Sequence, residues 1–176
     1  MSKVPGVDMS TGSLGQGLSV ANGMALASKM DSMGYRVYCI LGDGELEEGQ
    51  IWEAAMTSSK YNLDNLCVIV DNNNLQLVDS IENIKDLNSD DIENKFKSFG
   101  FHTMSIDGND IESIMNALST AETVKGKPTC IIAKTIKGKG VSFMENSVEW
   151  HGKAISDEEY KKAIEELTAN KIDFTE

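Results

Sequence analysis

Two short clusters of small and oxygen-bearing residues stand at matching places in this chain. Gly42-Asp43-Gly44 follows the apolar run Val37 to Leu41, and Asp71-Asn72-Asn73 follows the apolar run Leu66 to Val70. A helical stretch separates them, so the order is strand, loop, helix, strand. In a parallel α/β sheet, ligands gather beyond the carboxyl ends of the strands. The carboxylate of Asp43 and the amide oxygen of Asn73 are therefore expected to converge. Both are hard oxygen ligands suited to Mg²⁺ or Ca²⁺. Gly42 and Gly44 allow backbone N–H groups to approach a phosphate with no Cβ in the way. Taken alone, a GDG is more often a tight turn, and three successive asparagines also read as a turn. The pairing of the two clusters across one helix is what singles them out.

Other residues with chemical capacity are more ambiguous. Lys134 to Gly152 reads KTIKGKGVSFMENSVEWHG. Lys-Gly-Lys-Gly after a strand would cradle an anion, and equally could be a solvated loop. It leads to His151, one of two histidines. The other, His102, lies inside a strand-like run and reads as structural. Pro5 to Gly17, PGVDMSTGSLGQG, is a loop rich in Gly and Ser. It serves either as a helix cap or as a close backbone approach to a ligand. Cys39, Cys67 and Cys130 each lie in an apolar run, without C-x-x-C spacing. They read as buried small hydrophobes in a reducing, cytoplasmic setting. Arg36 is the only arginine. Bidentate recognition of a sugar phosphate usually uses Arg, so this chain is not expected to clamp a phosphorylated substrate by itself.

Strands and helices must alternate to position these residues. The spacing predicts helices over Gly15 to Met33, with Leu18, Ala21, Ala25, Leu26 and Met30 inward, and over Gly49 to Tyr61, with Ile51, Trp52, Ala55 and Met56 inward. Ser80 to Asp91 reads as a polar excursion. A short helix is expected at Ile92 to Ser98, and a strand at Phe101 to Ile106. Asp110 should cap a helix that presents Ile111, Ile114, Met115 and Leu118. Thr129 to Ala133 is a further strand, and Asp157 to Asn170 an amphipathic helix with a charged, solvated face. The fold class this implies is a three-layer α/β/α domain with a mainly parallel sheet. At 176 residues the chain reads as one domain, residues 1–176. The net charge of −12 argues against nucleic acid and anionic membranes as partners. No stretch reads as an export segment or a membrane span.

The quoted segments, taken together, resemble transketolase. A GDG at one strand end and an NN at the next is similar to the thiamine diphosphate motif. ILGDGELEEGQIWEAA, LDNLCVIVDNN, STGSLGQGLSVANGMALA and EWHGK extend the likeness over nearly the whole chain. The resemblance implies an enzyme that uses thiamine diphosphate and Mg²⁺ (or Ca²⁺) to move a two-carbon ketol unit between sugar phosphates, as in the pentose phosphate pathway. It implies metal bonds from Asp43, from the side chain of Asn73 and from the backbone carbonyl of Leu75. It places Gly12, Ser13 and Leu14 at the aminopyrimidine end of the cofactor. Gly44, Lys137 and His151 would stand near the diphosphate and reaction centre, His151 with a catalytic role. Glutamates matching Glu48 and Glu53 sit at the family's subunit interface, while acids at this position also favour a helix N-terminus. Both readings stand for these two residues.

The family's diphosphate-binding domain normally begins well before the residue matching Met1, and its pyrimidine-binding partner domain has no counterpart here. The resemblance thus implies an incomplete thiamine diphosphate-binding fold that associates with a C-terminal subunit or domain, or with itself. Alternatives are a non-catalytic interaction module of the same fold, or a relative such as deoxyxylulose-phosphate or dihydroxyacetone synthase.

Overall fold

The computed structural model describes residues 4–75 and 89–169. The chain alternates helix and strand. It begins with α1 (Gln16–Met30), β1 (Val37–Gly42), a 3₁₀ turn (Gly44–Glu47), α2 (Gly49–Lys60) and β2 (Leu66–Asn72). There follow α3 (Ser89–Ser98), β3 (His102–Asp107), α4 (Ile111–Thr123), β4 (Thr129–Lys134), a second 3₁₀ turn (Val148–His151) and α5 (Asp157–Ala169). Among the described residues the strands form one four-stranded sheet in the order β1-β2-β4-β3, and each of these pairings is parallel. The expected α/β architecture is present.

Alternation of side chains along each strand divides the core in two. Val37, Cys39 and Leu41 of β1 point with Val68, Val70, Cys130 and Ile132 toward α1, α2 and α3. Cys67 and Ile131 point the other way, onto Ala117 and Ala121 of α4. Two alanines at i and i+4 let this helix lie close to the sheet. That corrects part of the sequence expectation: Ile111 and Met115 are exposed, and the two alanines make the contact with the expected Leu118 packed beside them. Met30 and Met56 are likewise exposed rather than inward, while Leu18, Ala21, Ala25, Ile51 and Ala55 are buried as expected. The three cysteines are free and buried. Burial pushes the Cys39 thiol up to about 12, with the nearby Glu45 carboxylate adding to it, and burial pushes Cys67 up to about 11. Neither is a thiolate at neutral pH, so the reading of the cysteines as inert hydrophobes holds.

Helix α1 stops three residues before the expected Met33. Met33 N–H donates to the Ser28 carbonyl at 2.9 Å and Ser32 N–H to that of Lys29 at 3.4 Å. Ser32 takes the left-handed φ of 52°. This is a Schellman ending with Ser where Gly is usual. Helix α3 starts three residues before Ile92, because Ser89 to Asp91 supply an acidic first turn. Residues 76–88, which include most of the expected polar excursion, lie outside the described residues, as do residues 1–3 and 170–176. No helix among the described residues is long and apolar enough to cross a membrane.

Candidate functional site

The carboxyl ends of β1, β2 and β4 are bound into one floor. Asp43 N–H donates to the Asp71 carbonyl at 3.1 Å, and Thr135 N–H to the Asn72 carbonyl at 3.1 Å. The Thr135 hydroxyl donates to Asp71 Oδ1, and Asn73 Nδ2 to Asp71 Oδ2 at 3.2 Å. Each bond links residues at or just past the strand ends, as the parallel register requires.

Asp43 lies at the centre and is only 2% exposed. Its Oδ1 accepts from Gly44 N–H at 2.8 Å. Its Oδ2 accepts from Asn72 Nδ2 at 3.1 Å and from Asn74 N–H at 2.6 Å. Burial raises the pKa of this carboxyl above the usual value; the three hydrogen bonds oppose the shift, and the neighbouring Asp71 adds to it. Beside it, Asn72 Oδ1 is buried without a hydrogen-bond partner among the described residues. A sequestered anion next to an orphaned amide oxygen suits a hard cation, because a cation would satisfy both. The Asp43 carboxylate therefore fits the implied metal, while the open amide oxygen beside it is that of Asn72 and not that of the implied ligand Asn73. Asn73 Oδ1 instead accepts from Leu75 N–H at 3.1 Å, and Asn74 stands in the left-handed region with φ 59°. The structure thus brings Asp43, Asn73 and Leu75 to one strand-end turn, with Asn72 as the side chain that touches Asp43. The sequence reading passed over Asn72; its position as the last residue of a strand beside a GDG was the available signal.

The Gly12–Leu14 loop is seated against this floor. Gly15 N–H donates to Glu45 Oε1 at 2.8 Å, and Gly42 N–H to Glu45 Oε2 at 3.2 Å. Gln50 Nε2 donates to the Leu14 carbonyl at 3.3 Å. Gly15 has φ 86°, and a Cβ there would stand within 2.9 Å of the Gln50 and Glu48 side chains. Only glycine permits this approach. Behind the loop, α1 is tied to α2 by a buried network. Asn22 Nδ2 donates to the Ala54 carbonyl at 2.8 Å, and Ser58 Oγ to Asn22 Oδ1 at 2.7 Å. Gly12, Ser13 and Leu14 themselves are exposed.

Lys137 and His151 belong to an arm that leaves the carboxyl end of β4. The arm is held by contacts within itself and by bonds to Asn109 and to Glu166 of α5. Asn146 N–H donates to the Lys137 carbonyl at 3.0 Å, and Trp150 Nε1 to the Phe143 carbonyl at 3.0 Å. The Phe143 and Trp150 rings meet edge to face at 5.4 Å, and Lys153 Nζ lies 4.3 Å from the Trp150 ring centroid. Gly138 has φ 74°, and a Cβ there would stand 2.6 Å from the Met144 carbonyl oxygen. His151 ends the second 3₁₀ turn, exposed, with no hydrogen bond to the Asp43 floor among the described residues. His102 begins β3, at the opposite end of the sheet from the floor, consistent with a structural residue.

Arg36 is occupied at that same far end. Its Nη1 donates to the Asp64 carbonyl at 3.0 Å and its Nη2 to the Ala121 carbonyl at 3.0 Å. Glu48 and Glu53 are both exposed, Glu53 beside Met56 on the outer side of α2.

Residues 1–175 match the family described as "Transketolase, thiamine diphosphate binding domain". The 6-deoxy-6-sulfo-D-fructose transketolase subunit SqwG of Clostridium sp. (strain MSTE9) is 44% identical over 167 residues, which are 95% of this chain and 60% of that protein. A subunit of the apulose-4-phosphate transketolase of Actinobacillus succinogenes is 44% identical over 165 residues, 94% of this chain and 59% of that one. The chain thus spans about three fifths of the length of these relatives. The crystal structure of transketolase from Campylobacter jejuni superposes with a TM-score of 0.85 at 36% identity, covering 93% of this chain and 26% of the other. With its sheet order, its paired strand-end clusters and this match, the chain belongs to the transketolase thiamine diphosphate-binding domain family.

Proposed function

We propose that this chain is the diphosphate-anchoring part of a transketolase that moves a two-carbon ketol unit between sugar phosphates. The observation that carries the reading is Asp43: a carboxylate buried at the meeting point of two parallel strand ends, beside an unpartnered amide oxygen. Mg²⁺ (or Ca²⁺) would be held there by the Asp43 carboxylate, the Asn73 amide oxygen and the Leu75 carbonyl. Asn73 Oδ1 can keep its bond from Leu75 N–H on one lone pair and offer the other to the cation. Gly44 N–H and Lys137 would face the diphosphate. Gly12, Ser13 and Leu14 would contact the aminopyrimidine end. Thiamine diphosphate, when bound, supplies the carbanion and electron sink that the ketol transfer requires. His151, exposed on the arm, would orient substrate oxygens and exchange a proton with them.

The sugar itself is not chosen by these residues. The two relatives are named for different sugars, one carrying a sulfonate and one a phosphate. Arg36 faces away from the floor, so it does not hold a substrate's anionic end there. Deoxyxylulose-phosphate and dihydroxyacetone synthesis remain within the chemistry of such a floor.

A partner chain is part of the proposal. Among the described residues β1 stands at the sheet edge with one row of backbone groups outside the sheet, and on its face away from α1 Ile40 is 72% exposed beside Tyr38. Glu48, Glu53 and Met56 add a second exposed surface. Such an edge invites a further strand. These features also favour the rival reading, an interaction module that associates without turnover. Titration calorimetry with thiamine diphosphate and Mg²⁺ decides between them. Saturable, Mg²⁺-dependent uptake, and ketol transfer once a pyrimidine-binding chain is added, support the enzyme. Sedimentation showing tight self-association with no cofactor uptake supports the module. A stable monomer at micromolar concentration counts against the partner.

A further inference from the structure

The half-buried carboxylate of Glu45 is shared between two loops that come from distant parts of the chain. One oxygen takes Gly15 N–H at 2.8 Å and the other takes Gly42 N–H at 3.2 Å. Gly15 closes the Gly12–Leu14 loop, and Gly42 opens the turn that carries Asp43. No described backbone hydrogen bond joins these two loops directly. Gln50, on α2, adds a neutral bond to the Leu14 carbonyl at 3.3 Å. Glu45 is therefore more than an acid near a helix N-terminus. A carboxylate accepting two backbone N–H groups is charge-assisted at both ends and is geometrically specific.

We propose that Glu45 is a positioning residue, a latch that sets the separation between the Gly12–Leu14 loop and the Gly42–Gly44 turn. This rests on the cofactor reading above for its purpose. If one loop receives the aminopyrimidine end and the other the diphosphate end, their separation must match the length of the ligand. The latch holds that separation before any ligand arrives, which removes an ordering cost from binding. Two requirements on side-chain type follow. Aspartate is one methylene too short to span both N–H groups. Glutamine keeps the shape but has a single oxygen, so it retains one bond and loses the other.

The test uses the full chain and two separate readouts. Amide hydrogen exchange at Gly15 and Gly42 reports on the latch without any ligand. In Glu45→Ala both amides are expected to exchange at least about tenfold faster, while the β2 and β4 amides keep their protection. In Glu45→Gln only one of the two should accelerate. Unchanged exchange at both positions in Glu45→Ala overturns the latch. The second readout is titration of thiamine diphosphate in Mg²⁺. The dissociation constant is expected to rise about tenfold in Glu45→Ala, the lower end of the effect of losing a supporting contact, and less in Glu45→Gln. Faster exchange with unchanged affinity overturns the positioning role. A parent chain that takes up no thiamine diphosphate overturns the cofactor reading instead, and the exchange data still decide whether the latch exists.

Discussion

The floor and the arm carry the proposed site residues in different ways. The floor is made of strand ends, and its bonds cross between elements far apart in sequence: Gly15 to Glu45, Asp43 to Asp71, Asp71 to Thr135. The arm holds Lys137 and His151 through contacts within a short span, from Lys137 to Asn146 and from Phe143 to Trp150. Polar atoms in the floor are sequestered and several are charged. The arm combines hydrogen bonds with a ring pair and cation–π contacts, nearer the surface. A ligand anchor requires fixed charge in a rigid sheet, and the floor supplies both. A group that must meet a moving substrate can sit on a segment that adjusts without disturbing the sheet.

The largest effect is expected at the centre of the floor. Asp43→Ala should abolish Mg²⁺-dependent uptake of thiamine diphosphate, a loss of about 100-fold or more, since even supporting residues of metal sites are worth roughly 10–100-fold. Asp43 is the only anionic side chain among the proposed ligands, and Mg²⁺ gives up water reluctantly. Asn73→Ala deletes a dipole rather than a charge and should cost about tenfold. Leu75→Ala keeps the carbonyl and should do little. Calorimetry on the three variants reads this order. Uptake by Asp43→Ala equal to the parent would remove the metal assignment.

A second change breaks the arm alone. Gly138→Ala puts a methyl group against the Met144 carbonyl at a φ that disfavours side chains. The expected cost is about 2 kcal/mol, seen as a fall of several degrees in melting temperature. Amide exchange should quicken in residues 137–146 and stay unchanged in β1 and β2. Loss of protection across the whole sheet would show that floor and arm are one unit.

Much of the floor was legible because strand ends are punctuated. Apolar runs followed by Gly-Asp-Gly and Asp-Asn-Asn announce both the strands and the polar groups beyond them, and parallel pairing does the rest. Local spacing carried less. It could not show that Asn72, rather than Asn73, would donate to Asp43, since a strand extended by two residues past Val70 decides that. It could not separate Glu45 from Glu47 and Glu48, because the latch depends on where a loop thirty residues earlier comes to rest. Apolar spacing in α4 pointed to Ile111 and Met115, yet close packing selected Ala117 and Ala121. The docking of Arg36 onto the Asp64 and Ala121 carbonyls is also a tertiary fact, although its being the sole arginine had already weighed against a role in substrate binding.

A third change sharpens the contrast within the arm. Trp150→Ala removes the indole bond to the Phe143 carbonyl, the ring pair and the Lys153 contact. Because none of these reaches the floor, and only Lys137 of the arm would face the diphosphate, cofactor affinity should fall less than turnover. His151, the next residue, would lose its support, and turnover in the reconstituted enzyme should fall roughly tenfold to a hundredfold. Equal losses in affinity and turnover would contradict the separation.

The smallest effect separates floor from arm by sign. Asp43 has its pKa raised on folding, first by burial. The folded state then holds the proton more tightly than the unfolded chain. Its contribution to stability is fully present below the ordinary carboxylate value of 3.8 and is lost as pH rises through the raised value. Glu159, at the start of α5 where the arm ends, has the opposite shift. Hydrogen bonds from the Ser156 backbone and hydroxyl, and then from Lys153, pull it from 4.5 down to about 2. Its contribution is present above 4.5 and is lost as pH falls toward about 2. Urea unfolding across this range on the parent, Asp43→Ala and Glu159→Gln, without metal, reads both. The parent-minus-Asp43→Ala difference should decline as pH increases, and the parent-minus-Glu159→Gln difference should decline as pH decreases. Added Mg²⁺ and thiamine diphosphate should reverse only the first slope, because a bound cation favours the ionised carboxylate. If both differences ran the same way, Asp43 would not be the sequestered carboxylate on which the metal assignment depends.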